Sequence, residues 1–220
     1  SPMGVTLHYR GTLDDLNRLP ALCDELADVA QAMGWTAVRI DDDYDAPADA
    51  RLNHNADGAH VEGNSGLKGI VLTPDDGSES LWFCFDRAGQ LRSLLGQVLL
   101  LDGTLKPEES WAFTKTQFAS PARHVWMVGL LRYVQKHYVS KLEVRDNGGY
   151  WDTGDLAELH RRMDLINDVI ADMTSALSSP RFAALAGQSA ENIVAAIEKI
   201  AQDLHNPPAE ANPPDNPDRG

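Results

Sequence analysis

A strand–helix–strand pattern of apolar residues occurs twice in this chain and constrains its fold more than any other feature. Residues 5–10 alternate between apolar and polar side chains, residues 20–33 repeat apolar side chains at spacings of three and four, and residues 35–40 are again strand-like. The same order returns over residues 111–145. Because period two is typical of a half-buried strand and period 3.6 of an amphipathic helix, the chain is predicted to be an α+β protein.

Proline, serine and glycine mark the predicted helix boundaries. Pro20 lacks a hydrogen-bond donor and its ring clashes with a preceding turn, so the first helix is predicted to begin near this residue. Gly34 follows the last apolar residue of the pattern and is a favourable C-terminal stop. Ser120 and Pro121 match an N-cap followed by proline at the first helical position, so a second helix is predicted from Pro121.

Two more amphipathic helices are predicted near the C-terminus. Asp155 with Glu158 three residues later matches a capping box, and apolar residues continue at helical spacing to Leu177. Residues 189–204 repeat the same spacing. From Asn206 the chain holds five prolines and no large apolar residue. Such a segment cannot offset the entropy cost of ordering and is predicted to be disordered.

The middle of the chain divides into a loop, a hairpin and an ambiguous segment. Residues 41–66 are rich in Asp, Asn and Gly without sustained periodicity, and are interpreted as a long surface loop. Residues 67–73 and 80–85 are apolar and flank a Pro-Asp-Asp-Gly turn sequence, so they predict a β-hairpin. Residues 90–105 fit a helix except for two glycines.

The repeated pattern predicts two related halves. We expect a first α+β half over residues 3–105, a second half over residues 106–205 that includes the two C-terminal helices, and a disordered proline-rich tail over residues 206–220. A ferredoxin-like arrangement, in which the halves share a sheet or pack face to face, is the leading interpretation. A single mixed sheet with helices on one face is the alternative.

Charge and hydropathy exclude several partners. The chain carries 19 Lys and Arg against 33 Asp and Glu, a formal net charge of −14. This charge repels a phosphate backbone, so nucleic acid is not predicted as a partner. No apolar run approaches the roughly 18 residues that cross a bilayer, and no secretory signal opens the sequence, so a cytoplasmic protein without a membrane partner is predicted. Cys23 and Cys84 are interpreted as buried apolar side chains in a reducing compartment.

Strong catalytic motifs are absent from the sequence. It contains no P-loop, no Gly-x-Ser-x-Gly, no His-Glu-x-x-His and no Cys-x-x-Cys. No cofactor is therefore predicted. Catalytic sites also assemble from residues that are distant in sequence, so the sequence does not decide whether the protein is an enzyme.

A weak metal-site pattern lies in the predicted loop. His54, Asp57, His60 and Glu62 offer imidazole nitrogens and carboxylate oxygens at short spacings, which are ligand types that zinc and similar ions use. Histidines in a loop rich in Asn, Gly and Asp are more often simply solvated, and that is the alternative.

The second candidate site runs from Asp146 to Asp155 and contains Gly-Gly-Tyr-Trp. The glycines permit positive φ and close backbone approach, and Tyr150 with Trp151 offers flat surfaces and hydrogen-bonding groups. With Asp146, Asp152 and Asp155 beside them, these rings are predicted to form a ligand-binding lip at a helix N-terminus. The alternative is a structural turn whose aromatic rings cover the core and whose Asp155 caps the next helix.

A third pattern places His160, Asp164 and Asp168 on one stripe of a helix. An imidazole and a carboxylate four residues apart can share a metal ion or a proton. The more common interpretation is a solvated face opposite the apolar residues of the same helix.

The residues from Thr116 to Asp155 also resemble a family of uncharacterised bacterial proteins. The similarity is in Gln117-Phe118-Ala119 before the helix, in Gly148-Gly149-Tyr150-Trp151-Asp152-Thr153-Gly154-Asp155 after it, and in the opening Met3-Gly4-Val5-Thr6-Leu7-His8. The resemblance implies no activity and no catalytic residue. It increases the interest of the Gly-Gly-Tyr-Trp segment.

Three functions are compatible with these patterns. The leading hypothesis is a non-enzymatic binding or interaction module that uses Tyr150 and Trp151, with a homodimer through the C-terminal helices or another protein as partner. The first alternative is an enzyme on a small polar substrate, with metal assistance from His54 or His60 and the carboxylates of the bend. The second alternative is an immunity or antitoxin-like protein, which only the acidity supports.

Overall fold

The computed structural model describes residues 5–74 and 78–177 and has the predicted α+β class. Contacts divide the chain into two compact units, Ser1–Asp164 and Leu165–Gly220. All of the strands among the described residues belong to the first unit. The elements, in chain order, are β1 (Thr6–Arg10), α1 (Leu19–Met33), β2 (Thr36–Asp41), β3 (Arg51–Asn55), β4 (Gly58–Glu62), β5 (Lys68–Thr73), β6 (Leu81–Phe85), β7 (Leu91–Arg92), α2 (Leu94–Leu101), β8 (Ala112–Lys115), α3 (Pro121–His137), β9 (Glu143–Asp146), α4 (Tyr150–Thr153) and α5 (Leu156–Leu177).

The predicted helix boundaries are confirmed. α1 has Pro20 in its first turn, and Gly34 ends it in the left-handed conformation with φ of 70°. The Ser120 hydroxyl accepts a hydrogen bond from the backbone N–H of Arg123 at 3.2 Å, and Pro121 is the first residue of α3. α5 begins at Leu156, directly after Asp155, and continues to Leu177, the last residue that the structure describes. The helix over residues 189–204 and the tail over residues 206–220 lie outside the described residues.

The first sheet has the strand order β8-β1-β9. β1 is antiparallel to both of its neighbours, so β8 and β9 run parallel to each other on either side of it. α3 is the crossover between these two parallel strands. The result is a split β–α–β unit whose central strand comes from the opposite end of the described chain.

A second sheet has the order β2-β5-β6-β7, and β3 pairs with β4 as a separate antiparallel hairpin. The predicted β5–β6 hairpin is confirmed, while residues 75–77 of its turn lie outside the described residues. The ambiguous segment over residues 90–105 forms β7 and α2. β1 and β2 lie in different sheets, so the first strand–helix–strand segment does not pair its own strands. A ferredoxin-like arrangement is not confirmed.

The prediction of an irregular loop over residues 41–66 is wrong, because β3 and β4 form a hairpin there. Every residue of β3 is exposed, so its backbone pairing rather than an apolar face defines this hairpin. Without a buried side, the strands carry no alternation of apolar and polar residues for sequence reasoning to detect.

One hydrophobic core joins the two larger sheets. It contains inward side chains of β1 such as Leu7 and Tyr9, residues of β5 and β6, and the apolar faces of α1 and α3. The backbone N–H of Trp82 on β6 donates to the Tyr9 hydroxyl at 2.7 Å, and the Thr114 hydroxyl on β8 donates to the Ser80 carbonyl at 2.9 Å. These bonds fix the edge of β6 against the first sheet. The predicted division of the chain into halves over residues 3–105 and 106–205 stays a prediction.

Candidate functional site

The Gly-Gly-Tyr-Trp bend is a single helical turn bounded by two glycines. Gly149 precedes α4 with φ of 76°, and Gly154 ends it with φ of 64°. Both conformations favour glycine, because a side chain at positive φ is strained. The glycines therefore allow the chain to turn sharply from β9 into α4 and then into α5.

Asp146 holds this bend from inside the protein. Its side chain is completely buried, as is that of His124. Asp146 Oδ2 accepts hydrogen bonds from His124 Nε2 at 3.0 Å and from the Trp151 backbone N–H at 2.8 Å, while Oδ1 accepts from the Gly148 N–H at 2.7 Å. Burial alone would raise the pKa of Asp146, but the His124 hydrogen bond and charge and the backbone donors bring the pKa below its ordinary value.

The other ring nitrogen of His124 continues the buried chain. His124 Nδ1 lies 2.7 Å from the Thr116 hydroxyl, which in turn is 3.2 Å from the Val5 carbonyl. Thr116 and His124 are both fully buried. Their polar atoms are satisfied by one another, so this network links β9 and α3 to the residues that follow β8.

The remaining residues of the predicted lip have mixed environments. Tyr150 and Trp151 are half-buried and pack against the core. The Arg132 guanidinium lies 4.3 Å from the Trp151 ring centroid. Asp155 Oδ1 accepts from the Glu158 backbone N–H at 3.0 Å and so caps α5, and Asp152 is exposed. These contacts match the structural alternative; ligand binding by the bend stays a prediction.

The candidate metal ligands of residues 54–62 lie on the β3–β4 hairpin. His60 Nε2 is 2.9 Å from Glu62 Oε1, whereas His54 pairs across the hairpin with Ala59 and Asp57 lies in its turn. The His60 hydrogen bond, with the charge of Arg51 adding to it, lowers the pKa of Glu62. Over residues 5–74 and 78–177, no three His, Cys, Asp or Glu side chains are grouped as a metal site would require.

His160, Asp164 and Asp168 are all exposed on α5. This agrees with the solvated-face interpretation of the stripe. Within the described part of the chain, no helix combines the length and apolar character needed to cross a membrane.

A groove of about 870 Å³ lies on the outward face of the β8-β1-β9 sheet. His8 on β1 is opposite Phe113 on β8 and opposite Arg145 on β9, and all three side chains line the groove. Residues directly opposite each other on neighbouring strands share one face, so the register places these side chains side by side. The His8 and Phe113 ring centroids are 6.1 Å apart.

Apolar residues from the second sheet and from α2 form the other wall of the groove. Trp82 of β6 and Leu95 and Leu99 of α2 line it. Leu95 is 51% exposed and Phe113 is 48% exposed, although both are large apolar side chains. Burial of such apolar surface by a ligand contributes about 25 cal/mol of favourable binding free energy per Å² that is removed from water.

Charged groups lie along the groove beside its apolar wall. The Arg145 guanidinium lies 4.3 Å from the Trp111 ring centroid. Glu79 accepts a hydrogen bond from the Lys115 backbone N–H at 3.1 Å. Partial burial, with the charge of Arg145 adding to it, lowers the pKa of His8, so this imidazole is neutral at pH 7. The groove therefore combines flat aromatic surfaces with a few fixed polar groups.

Sequence reasoning did not find this groove. Trp111 and Phe113 are two positions apart in the strand-like start of residues 111–145, which predicts that they share one face of a strand, but the sequence gives that face no role. The signal in the sequence is that Trp111 and Phe113 flank the small Ala112, and in the structure it is Ala112 that is buried. Large aromatic side chains on one face of a strand, opposite a small residue that packs in the core, indicate that the second face also contacts other residues or a ligand.

The chain was also compared with known proteins. No protein-family model, no curated protein and no solved structure matches it.

Proposed function

We propose that this protein is a binding module that takes a planar, largely apolar small molecule in the groove on the β8-β1-β9 sheet. The observation that carries the proposal is the concave exposure of Phe113 and Leu95 beside Trp82. Small-molecule sites are typically concave, have volumes of about 300–1,000 Å³ and are lined by apolar and aromatic side chains with a few polar groups. The groove volume of about 870 Å³ lies within that range.

The contacts around the groove support a preformed site. The Tyr9–Trp82 and Thr114–Ser80 hydrogen bonds fix the two sheets at its base. The Ser93 hydroxyl accepts from the Gly96 N–H at 3.1 Å and caps α2, which positions Leu95 on the wall. A site held by such contacts loses little conformational entropy when a ligand binds.

The test is a titration with indole and 2-naphthol, followed by saturation-transfer NMR. We expect both probes to bind the full chain. Phe113→Ser removes one aromatic wall and should weaken binding about fivefold, because a pair of aromatic rings contributes about 0.5–1.5 kcal/mol beyond the area that it buries. Leu95→Ser should weaken binding in the same direction.

The chain offers a matched control for each variant. Phe118 is 63% exposed and Leu101 is 39% exposed, and neither side chain lines the groove. Phe118→Ser and Leu101→Ser should therefore leave both dissociation constants unchanged. If neither probe binds at about 10 mM, or if the control variants weaken binding as much as the groove variants do, the proposal is wrong.

A further inference from the structure

A second cavity, of about 510 Å³, contains a buried cation. It is lined by residues around the ends of β1, β7 and β9, including Arg92 of β7. Arg92 is only 9% exposed, which is unusual for arginine because transfer of a charge out of water is costly unless the charge is paired and hydrogen-bonded. This cavity is separate from the aromatic groove, and Arg92 does not line that groove.

The Arg92 guanidinium makes no hydrogen bond to any residue in the described part of the chain. Its Nε atom is buried without a partner, and the nearest carboxylate oxygen, Asp86 Oδ2, is 3.6 Å from it. Burial lowers the pKa of Arg92, and the Asp86 charge opposes this effect. Buried polar groups are nearly always hydrogen-bonded, so a buried Nε–H without a hydrogen-bond partner, on a guanidinium whose ion pair with Asp86 is 3.6 Å long and which lies beside a cavity, points to a site for a further acceptor.

The carboxylates that line the same cavity are already engaged. Glu143 accepts two hydrogen bonds from the Arg10 guanidinium, at 3.2 and 3.0 Å. Asp14 accepts from the backbone N–H of Ser140 at 3.1 Å and from its hydroxyl at 2.8 Å.

Lys141 also lines this cavity and, among the described residues, makes no ion pair. The lining of this cavity carries three cations, Arg10, Arg92 and Lys141, against two carboxylates, Asp14 and Glu143, so it has one net positive charge within a chain of net charge −14, and Asp86 faces Arg92 from outside the lining.

We infer that this cavity binds an oxyanion, either a carboxylate or a phosphoryl group of a small molecule, with Arg92 as its main donor and Lys141 as a second cation. The planar guanidinium presents paired N–H donors that match two oxygens of such a group. A largely dehydrated arginine forms stronger hydrogen bonds to an anion than an exposed one, because the local dielectric constant is lower. The acidic surface elsewhere does not prevent this, since screening limits its range to about 8–10 Å.

The experiment is a titration of the full chain with inorganic phosphate and, separately, with malonate, against sodium chloride of equal ionic strength. The readout is the Nε–Hε signal of Arg92 in a ¹H–¹⁵N spectrum, identified by its loss in Arg92→Met. We expect a saturable shift with a dissociation constant of about 1–10 mM for at least one of the two anions, and no saturable shift with chloride. Phosphate alone indicates a tetrahedral phosphoryl group, and malonate alone indicates a carboxylate.

Matched variants separate a specific site from general charge effects. Arg92→Met should weaken anion binding, measured from backbone signals around the cavity, at least about tenfold. Arg87→Met removes the same charge from an exposed side chain that does not line this cavity, and should change the dissociation constant less than about twofold. Lys141→Met should weaken binding about threefold and, because Lys141 is exposed, should leave the fold intact.

Two results would overturn the inference. One is an Arg92 signal that neither phosphate nor malonate moves more than chloride does at about 50 mM. The other is equal weakening by Arg87→Met and Lys141→Met, which would show a diffuse charge effect. If Arg92→Met does not fold, Arg92→Lys, which keeps the charge and lacks the Nε–Hε group, identifies the Arg92 signal by its loss, and that signal together with Lys141→Met decides between these outcomes.

Discussion

Replacement of Asp146 by asparagine should strongly destabilise the protein, although the two side chains have nearly the same shape. Both carboxylate oxygens of Asp146 accept backbone hydrogen bonds, Oδ1 from Gly148 and Oδ2 from Trp151. Asparagine has one oxygen and one NH₂ group. Whichever way it is oriented, the NH₂ group faces a backbone N–H donor, and the His124 hydrogen bond loses its charged acceptor.

The magnitude follows from the burial of the pair. Both side chains of the Asp146–His124 pair have no exposed surface. A buried donor left without its acceptor typically costs about 1–3 kcal/mol, more where the acceptor was charged, and here a backbone N–H and the His124 ring both lose a carboxylate oxygen. Since asparagine keeps part of the hydrogen bonding, we expect a loss of about 3 kcal/mol in the free energy of unfolding. With a urea slope of about 2 kcal/mol/M, the midpoint should fall by about 1.5 M.

The assay is urea unfolding at pH 7, followed by circular dichroism and by tryptophan fluorescence. The matched control is Asp152→Asn, which removes the same charge from an exposed position in α4. Exposed substitutions usually change stability by less than about 0.5 kcal/mol. Equal midpoints for the two variants would refute the structural role of Asp146.

The lowered pKa of Asp146 also predicts the direction in which stability changes with pH. The folded pKa lies below its ordinary value, so the folded state binds the proton less readily than the unfolded chain does. The stabilisation that ionised Asp146 provides is therefore fully present above the unfolded pKa of about 3.9, and it is lost as the pH falls through the pKa of Asp146 in the folded state. The stability difference between wild type and Asp146→Asn should shrink as the pH falls below about 4. A difference that grows on acidification would contradict this.

Three further predictions concern the core. Gly69→Ala should lower the free energy of unfolding in urea by more than about 3 kcal/mol, because a Cβ atom there would lie 2.1 Å from a carbonyl oxygen of β6. As its control, Gly129→Ala should raise the free energy of unfolding by about 0.5–1 kcal/mol, because no heavy atom lies within 4 Å of the added Cβ. Tyr9→Phe removes the acceptor of the Trp82 N–H and should cost about 1–3 kcal/mol by the same assay. Burial raises the pKa of the Cys84 thiol to about 12, so it should react with a disulfide reagent only after unfolding, and rapid reaction of the native protein would contradict its burial.

The local elements of this fold were predictable because each carries its own chemical signal. Pro20 and Gly34 mark the two ends of α1, and the Ser120-Pro121 pair marks the start of α3. These signals depend on neighbours in sequence, and the folded protein retains them. Strand pairing has no comparable local signal, which is why the class was predicted and the sheet order was not.

The candidate sites depended on contacts that sequence reasoning could not supply. Asp146 was assigned to a ligand lip because nothing local shows that His124 lies against it in the core. The groove needs His8, Phe113 and Arg145 to meet through strand register, and these residues come from three separate parts of the chain. Arg92 shows no distinctive sequence pattern, and only its burial marks it.

The position of β1 between β8 and β9 has a consequence for how this protein is made. During synthesis β1 leaves the ribosome before both of its neighbours, which lie more than a hundred positions later, with Leu7 opposite Thr114 and Asp146. Until translation passes Lys115, β1 has no neighbouring strand to join, and until it passes Asp146 one edge of β1 stays unpaired. Such long-range pairing slows folding and leaves an unpaired strand edge open to aggregation. A nascent chain stalled before β9 should therefore depend on chaperones more than the finished protein does.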